Sequence, residues 1–472
     1  MTPPASHSSP AAPAFATRTS ATLGALADLD GARVPASPRG GDSDQWAIDT
    51  SFAAGLPCRQ VRESRSSSTG IRILQGPLGE GGGMRFSASS MARWLALPTC
   101  GLLVAACGTT APPKPIAHGT YSVGVPMPMT GAEAQAGTEI YDGESLAVSE
   151  INKAGGVLGH KIVLNEQDDA CDPQTAVNAA NDLVSAGVQA IVGNYCSSAA
   201  QPSEPIFARA NGGNGIPNIQ PSANSSTLTQ AGFHNVFLID PSGSQQATEA
   251  AAFFTKILKV KSLLIADDQS TYAVNVAQLT AQDLRGSGVQ TFPIQAVPDT
   301  TQDFSSVITT ISSDHAQAVY WTGYFAQAAE FVRQLRAAGS NIPFVTADGS
   351  VDPSFISDGG SAASGTYATI AVITQYLSGP AAKKFDQNYT AAYHSQPGPY
   401  SAYGYDGIYA LANAAKKANS LDPVKVIAAL HSLKFTGLTG PVSFAADGAR
   451  QGAHFIVLEV VNGQYQLAPH QP

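Results

Sequence analysis

Hydrophobic and polar positions fall into two regimes along this chain. Residues 1–83 show no sustained period and are rich in Pro, Ser, Ala, Gly and Arg, as in Met1-Thr2-Pro3-Pro4-Ala5 and Gly81-Gly82-Gly83. Such a stretch cannot bury enough apolar surface to offset the entropy of ordering it, so it is expected to be disordered. From Thr120 the pattern changes to short apolar runs alternating with stretches of helical spacing. Tyr121–Val125 reads as a strand, and Ile140, Gly143, Ala147 and Ile151 then fall on one helical face that ends at Gly155-Gly156. Ile162–Leu164 is the next strand. Asp172 before Pro173 is an N-cap followed by proline at the first helical position, with Ala176, Val177, Ala180, Leu183 and Val184 as the expected buried stripe.

The alternation continues through strands at Ala190–Val192, Pro217–Ile219 and Val236–Ile239. After Asp240-Pro241-Ser242-Gly243, whose Pro/Gly character marks a crossover, a second set begins. Its strands are expected at Ser262–Ala266, Thr291–Val297, Ala318–Trp321 and Phe344–Thr346. Its helices are expected at Thr271–Arg285, Asp303–Ser313 and Phe325–Ala338. Three further helices follow near Ala381–His394, Ser401–Ala418 and Pro423–Leu433, and Phe455–Leu467 reads as a hairpin turned at Asn462-Gly463. Repeated β-α alternation predicts an α/β fold of two doubly wound parallel-sheet lobes, with a cleft between them.

The segment ahead of these lobes carries export chemistry. Met84-Arg85-Phe86 and Met91-Ala92-Arg93 precede the apolar run Trp94–Ala106, which ends in small residues before Cys107. A basic start, an apolar stretch of about a dozen residues and small residues at the cleavage point are the parts of a secretory signal. The run is shorter than the roughly 20 residues that span a bilayer. Leu103-Val104-Ala105-Ala106-Cys107 resembles the lipobox of bacterial lipoproteins, which implies lipidation of Cys107 and a membrane anchor. Residues 84–106 are therefore expected to be a leader and 107–117 a Pro-rich tether, with translation starting at Met84 or Met91.

Composition narrows the function classes. A net charge of −9 leaves no electrostatic footprint for nucleic acid. No Cys/His cluster has metal-ligand spacing, and no cofactor is expected. Asn211-Gly212-Gly213-Asn214-Gly215 reads as a small loop expansion. As a phosphate cradle it is weak, because no lysine follows in the required arrangement.

Two runs carry a specific resemblance: Asp168-Asp169-Ala170-Cys171-Asp172-Pro173 and Tyr195-Cys196-Ser197-Ser198-Ala199-Ala200-Gln201-Pro202. Together they closely resemble the branched-chain amino-acid (leucine/isoleucine/valine-type) substrate-binding proteins of ABC transporters, periplasmic binding proteins of type I. The resemblance extends from about Tyr121 to near the C-terminus. It implies a three-crossover hinge near Asp240, Val372 and Asp447-Gly448. One lobe would comprise 118–240 with 373–447, the other 241–372 with 448–472. With Cys58, Cys100 and Cys107 assigned to the front of the chain, Cys171 and Cys196 remain as an even pair in an exported protein and are read as a disulfide.

The resemblance also implies the ligand contacts. Tyr195, Cys196 and Ser197 from one loop, and Ser222, Ala223 and Asn224 from another, would take the α-carboxylate and ammonium. The family has alanine and threonine where this chain has Ser222 and Asn224. The second lobe would supply Tyr272, Tyr324 and Asp348, the last in the place of the family's ammonium-pairing glutamate. Tyr400 and Tyr403 are weaker candidates for the apolar wall. Ala136 stands where those receptors place a tyrosine, which enlarges the expected side-chain pocket.

The implied function is an extracytoplasmic receptor that delivers an amino acid, or a related carboxylate or amide, to an ABC permease and its ATPase. The competing class is an exported amidase or hydrolase using Cys196 or Ser197 as nucleophile. Against it, no Gly-x-Ser-x-Gly surrounds Ser197, and His160, His234, His315 and His394 read as surface residues. A sensor feeding a separate signalling protein is a third reading.

Overall fold

The computed structural model describes residues 119–472. The segments read as a disordered start, a leader and a tether, and Cys107 with them, lie outside the described residues.

The first lobe starts with β1 (Thr120–Met127), α1 (Ala134–Lys153), β2 (Lys161–Asp168), α2 (Pro173–Ser185) and β3 (Ala190–Val192). It continues through α3 (Ser197–Gly213), β4 (Asn218–Gln220), α4 (Ser226–Gln230) and β5 (Val236–Leu238). The five strands form a parallel sheet in the order β2-β1-β3-β4-β5. The strand order reverses between β1 and β3, and in such sheets ligands sit beyond the carboxyl ends at that reversal.

The second lobe opens with α5 (Gly243–Ala252), which runs into a π-helical turn at Phe253–Ile257, followed by β6 (Ser262–Asp267) and α6 (Thr271–Asp283). Next come β7 (Gln290–Thr291), β8 (Gln295–Ala296), α7 (Ser305–Ser313), β9 (Ala318–Trp321) and α8 (Phe325–Ala337). Then follow β10 (Phe344–Thr346), α9 (Pro353–Gly359) and β11 (Tyr367–Ala371). Thr291–Val297, expected as one strand, is two short pieces because Pro293 has no N–H for the ladder.

The chain then returns to the first lobe with α10 (Pro380–Tyr393), α11 (Ser401–Ala418) and α12 (Pro423–Leu430), and the hairpin β12 (Lys434–Gly437) and β13 (Gly440–Ser443). The last hairpin, β14 (Phe455–Val461) and β15 (Gln464–Leu467), joins the second sheet antiparallel at β11. Asn462 and Gly463 both take positive φ, 52° and 74°, as its two-residue turn requires. No helix among the described residues is long and apolar enough to cross a membrane.

The cores follow from this layering. The first lobe packs α1 and α11 over its sheet, with Val123, Val125, Val192, Ile408 and Leu411 fully buried. The second sheet is covered on both faces, by a cluster around Trp321 and Phe331 and another around Phe254 and Tyr320. The buried face of α2 is Ala176, Ala179, Ala180 and Leu183; Val177 and Val184 are only half-buried.

Three segments cross between the lobes, and Arg450, together with Tyr403, links them. The buried Arg450 guanidinium donates to Ile239 O (2.7 Å), Thr439 Oγ1 (2.8 Å), Thr439 O (2.9 Å) and Pro441 O (2.9 Å). It also lies 5.8 Å from the Tyr403 ring centroid, and the Tyr403 hydroxyl donates to Val372 O in the second crossover. Asp406 accepts from the Leu438 and Thr439 N–H groups, fixing the β12–β13 turn against α11. Gly448, at φ +92°, lies so close to β5 that a Cβ would collide with the Val236 carbonyl.

Two outcomes follow. Replacing Arg450 by Met strands several buried carbonyls, so Arg450→Met is expected to lose on the order of 3 kcal/mol in denaturant unfolding. Glu204 on α3 is fully buried without a hydrogen-bond partner, and burial pushes its carboxyl from 4.5 to about 9. A carboxyl raised on folding holds its proton in the native state, so its contribution is present below pH 4.5 and lost as pH rises towards 9. The melting temperature should therefore fall across that window, and Glu204→Gln should flatten the fall.

Candidate functional site

The carboxyl ends of both parallel sheets face one cleft. Beyond β3 the chain turns through Gly193–Tyr195 into α3, and beyond β4 through Pro221–Asn224 towards α4. From the opposite lobe come the ends of β6 (Asp268–Tyr272), β9 (Thr322–Tyr324) and β10 (Ala347–Gly349).

The loop after β3 is tightly anchored. Cys171 and Cys196 form a disulfide, with Cα atoms 5.4 Å apart. Behind it Asp169 accepts from the Cys171 N–H (2.9 Å) and the Asn194 side-chain amide (2.7 Å). Burial pushes the Asp169 carboxyl up to about 6. The two cysteine loops are thus tied by a covalent bond and by a shared acceptor. α3 begins at Ser197, so its leading N–H groups and positive end open at the cleft.

A narrow cavity of about 10 Å3 lies between the lobes, lined by Tyr195, Ser197, Ser222, Tyr272, Tyr324, Asp348, Gly349 and Tyr400. Six of the nine expected contact residues are in that lining. Asn224 stands just behind it, donating from its side-chain amide to Asp348 (3.1 Å) and to Asp240 (3.1 Å). Ala223 is buried in a small cluster with Ala200, Leu228 and Leu238. Cys196 lines an outer groove instead. Tyr400 joins the wall, whereas Tyr403 faces the hinge. Ala136 is half-buried against the first-lobe core and is not part of the cavity lining.

The aromatic wall is continuous. Ring centroids are 6.3 Å apart for Tyr195 and Tyr324, 6.0 Å for Tyr195 and Tyr400, and 6.0 Å for Tyr272 and Tyr324. The Tyr272 hydroxyl donates to Asp348 Oδ1, and the Tyr324 N–H to Asp268 Oδ2 (3.0 Å). Burial pushes the Asp348 carboxyl up, against hydrogen bonds from Tyr272, Tyr400, Gln246 and Asn224. Burial, with the neighbouring Asp348 charge added, pushes Asp240 well above the ordinary range.

Asp240, Gln246, Arg450 and Glu133 are the residues of this region that sequence reasoning did not single out as ligand-facing. Asp240 was visible only as a crossover residue and Glu133 only as part of the loop before α1. Direct contacts also tie the lobes: Thr271 N to Ser198 Oγ (3.1 Å), Thr271 Oγ1 to Gln201 Oε1 (3.1 Å), and Ser226 N to Asn275 Oδ1 (2.9 Å).

Chemically the cleft offers a helix N-terminus with two serines on one side and a buried carboxylate on the other. That pairing suits a ligand carrying both an anionic and a cationic group. Ser197 Oγ accepts from Ser225 N–H (3.2 Å), and no histidine lines the cavity.

A family model described as periplasmic binding protein matches residues 120–464. A leucine-specific-binding protein of Salmonella typhimurium is 29% identical over 331 residues, covering 70% of this chain and 88% of that protein. An amino acid binding protein of Pseudomonas aeruginosa is 30% identical over 351 residues, covering 74% and 92%. Among solved structures, a branched-chain amino acid transporter substrate-binding protein from Streptococcus pneumoniae, in complex with isoleucine, is 27% identical. It superposes with a TM-score of 0.65 over 75% of this chain and all of that one.

The disulfide closes a loop of 25 residues. Breaking such a loop removes about 3 kcal/mol in the chain-entropy treatment. The Cys171→Ser/Cys196→Ser double variant should show that loss in guanidinium unfolding, and added reductant should have no effect on the variant.

Proposed function

The chain belongs to the periplasmic binding protein family, and on that premise we propose that it is the extracytoplasmic solute-binding protein of an ABC importer for an amino acid. The observation that carries this is the pairing across the cleft of the α3 N-terminus, at Ser197, with the buried carboxylate of Asp348. An α-amino acid carries the complementary pair of charges. Its carboxylate would take hydrogen bonds from Ser197, Ser222 and the first N–H groups of α3. Its ammonium would sit against Asp348, replacing the hydrogen bonds that Tyr272 and Asn224 now supply.

Hinge closure is the proposed mechanism. The segments 118–240 with 373–447 act as one lobe and 241–372 with 448–472 as the other. The first lobe captures the ligand, and Tyr272, Tyr324 and Asp348 join when the lobes meet. The closed form then docks on a membrane permease driven by its ATPase. Lipidation at Cys107 would keep the receptor at the outer face of the membrane.

Several features support binding without turnover. Cys196 is held in a disulfide, and Ser197 Oγ has the Ser225 N–H as partner with no base beside it. The relatives' names point the same way: the Salmonella protein is called leucine-specific, and the Streptococcus structure holds isoleucine.

Titration calorimetry of the purified chain against the standard amino acids tests this. At least one should bind with micromolar affinity or better. Asp348→Ala should then weaken it on the order of 100-fold, as expected when one partner of a buried charge pair is removed. Ser197→Ala should cost about tenfold, one charge-assisted hydrogen bond. Absence of binding by every amino acid, or hydrolysis of an amide substrate that depends on Ser197, would overturn the reading.

A further inference from the structure

The cleft holds carboxylates from both lobes and aromatic faces between them, without a cationic side chain among its lining residues. At the inner end Asp240 is fully buried and its Oδ1 accepts no hydrogen bond. A single neutral amide, that of Asn224, joins it to Asp348. Arg450 does not relieve this arrangement by hydrogen bonding, because its donors go to Ile239, Thr439 and Pro441. At the outer end Glu133, only 9% exposed, is hydrogen-bonded to Tyr195 of the cavity wall and faces Asp268 and Asp352 of the second lobe.

Tyr324 belongs both to the cavity and to a groove of about 650 Å3 outside it, whose lining includes Glu133, Asp268, Asp172 and Asp299. No Lys, Arg or His lines either space. Burial, with Asp352 and Asp268 added, pushes the Glu133 carboxyl up to about 8, as expected of a carboxylate closed against others without a counter-charge. The four tyrosines of the wall add an independent attraction, since a cation over an aromatic face gains roughly 0.5–2 kcal/mol.

A zwitterionic amino acid places its one ammonium at Asp348 and leaves the acidic side chains at the outer end without a cationic partner, whereas a second cation there would draw the Glu133 carboxyl into its ionised form. Resting on the amino-acid reading above, we propose that the solute is an amino acid with a cationic side chain, its α-groups held by Ser197, Ser222 and Asp348 and its side-chain ammonium or guanidinium held on the Tyr195–Tyr324 wall by Glu133 and Asp268. Glu133 is then the residue that sets specificity.

Pairs of ligands that differ in charge alone give the test. Lysine against norleucine, and arginine against citrulline, are titrated into the full chain at pH 7 and at low salt. The charged member of at least one pair should bind tenfold or more tighter. Glu133→Gln should reduce that ratio about tenfold while leaving norleucine within threefold, and Glu133→Asp should restore part of it. Melting curves of both variants establish that they are folded.

If neither lysine nor arginine binds more tightly than its uncharged counterpart, the cationic assignment is overturned and the amino-acid receptor stands. An unchanged ratio in Glu133→Gln overturns the role of Glu133. Failure of every amino acid to bind overturns both readings together.

Discussion

One guanidinium fixes the geometry on which the cleft depends. Arg450 reaches the first crossover at Ile239, the β12–β13 turn at Thr439 and Pro441, and through Tyr403 the second crossover at Val372. A planar fork with five donors can hold several carbonyls at fixed mutual positions, where a lysine would present one mobile point. The three connecting segments therefore share a common reference, and the two sheets can turn about it without the crossovers sliding apart. Everything that meets across the cleft inherits its alignment from this point.

The cleft itself is electrostatically unfinished. Asp348 is stabilised by hydroxyl and amide donors, Asp240 has one free oxygen, and Glu133 closes against carboxylates of the other lobe. A buried carboxyl without a cationic partner is costly to ionise, and proteins retain such groups where a ligand completes the arrangement. Stability is thereby withheld from the empty protein and released on binding, which is how a receptor couples occupancy to shape.

Much of this was legible in the sequence, for local reasons. Short apolar runs bounded by Gly and Pro gave the strands of both lobes, and α11 began and ended where expected because Gly398-Pro399 precedes it and Asn419 takes the left-handed turn after it. The cysteine-containing loops gave the disulfide and, with Tyr195 and Ser197, one side of the cavity wall. Less legible were elements held by distant partners. α3 contains Pro202 and Pro205, which hide its helical period, and it breaks at Asn211 and Gly212, within the stretch read as a loop expansion. The β12–β13 hairpin is short and depends on Asp406 and Arg450, residues far from it in sequence or outside its own pattern. Asp240 and Glu133 acquire their chemistry only when the lobes meet, and no window of sequence contains both sides of that encounter.

The contacts that tie the lobes at their rims are hydrogen bonds to serine, threonine, glutamine and asparagine side chains: Thr271 to Ser198 and Gln201, and Ser226 to Asn275. Water can replace each of these groups, so parting them costs little, on the order of 1 kcal/mol apiece. An apolar seam of the same extent would resist separation as a core does. Latched at its rims in this way, the cleft leaves the work of holding its two sides together to what lies deeper, the Tyr195–Tyr324 contact and the Asn224–Asp348 bond.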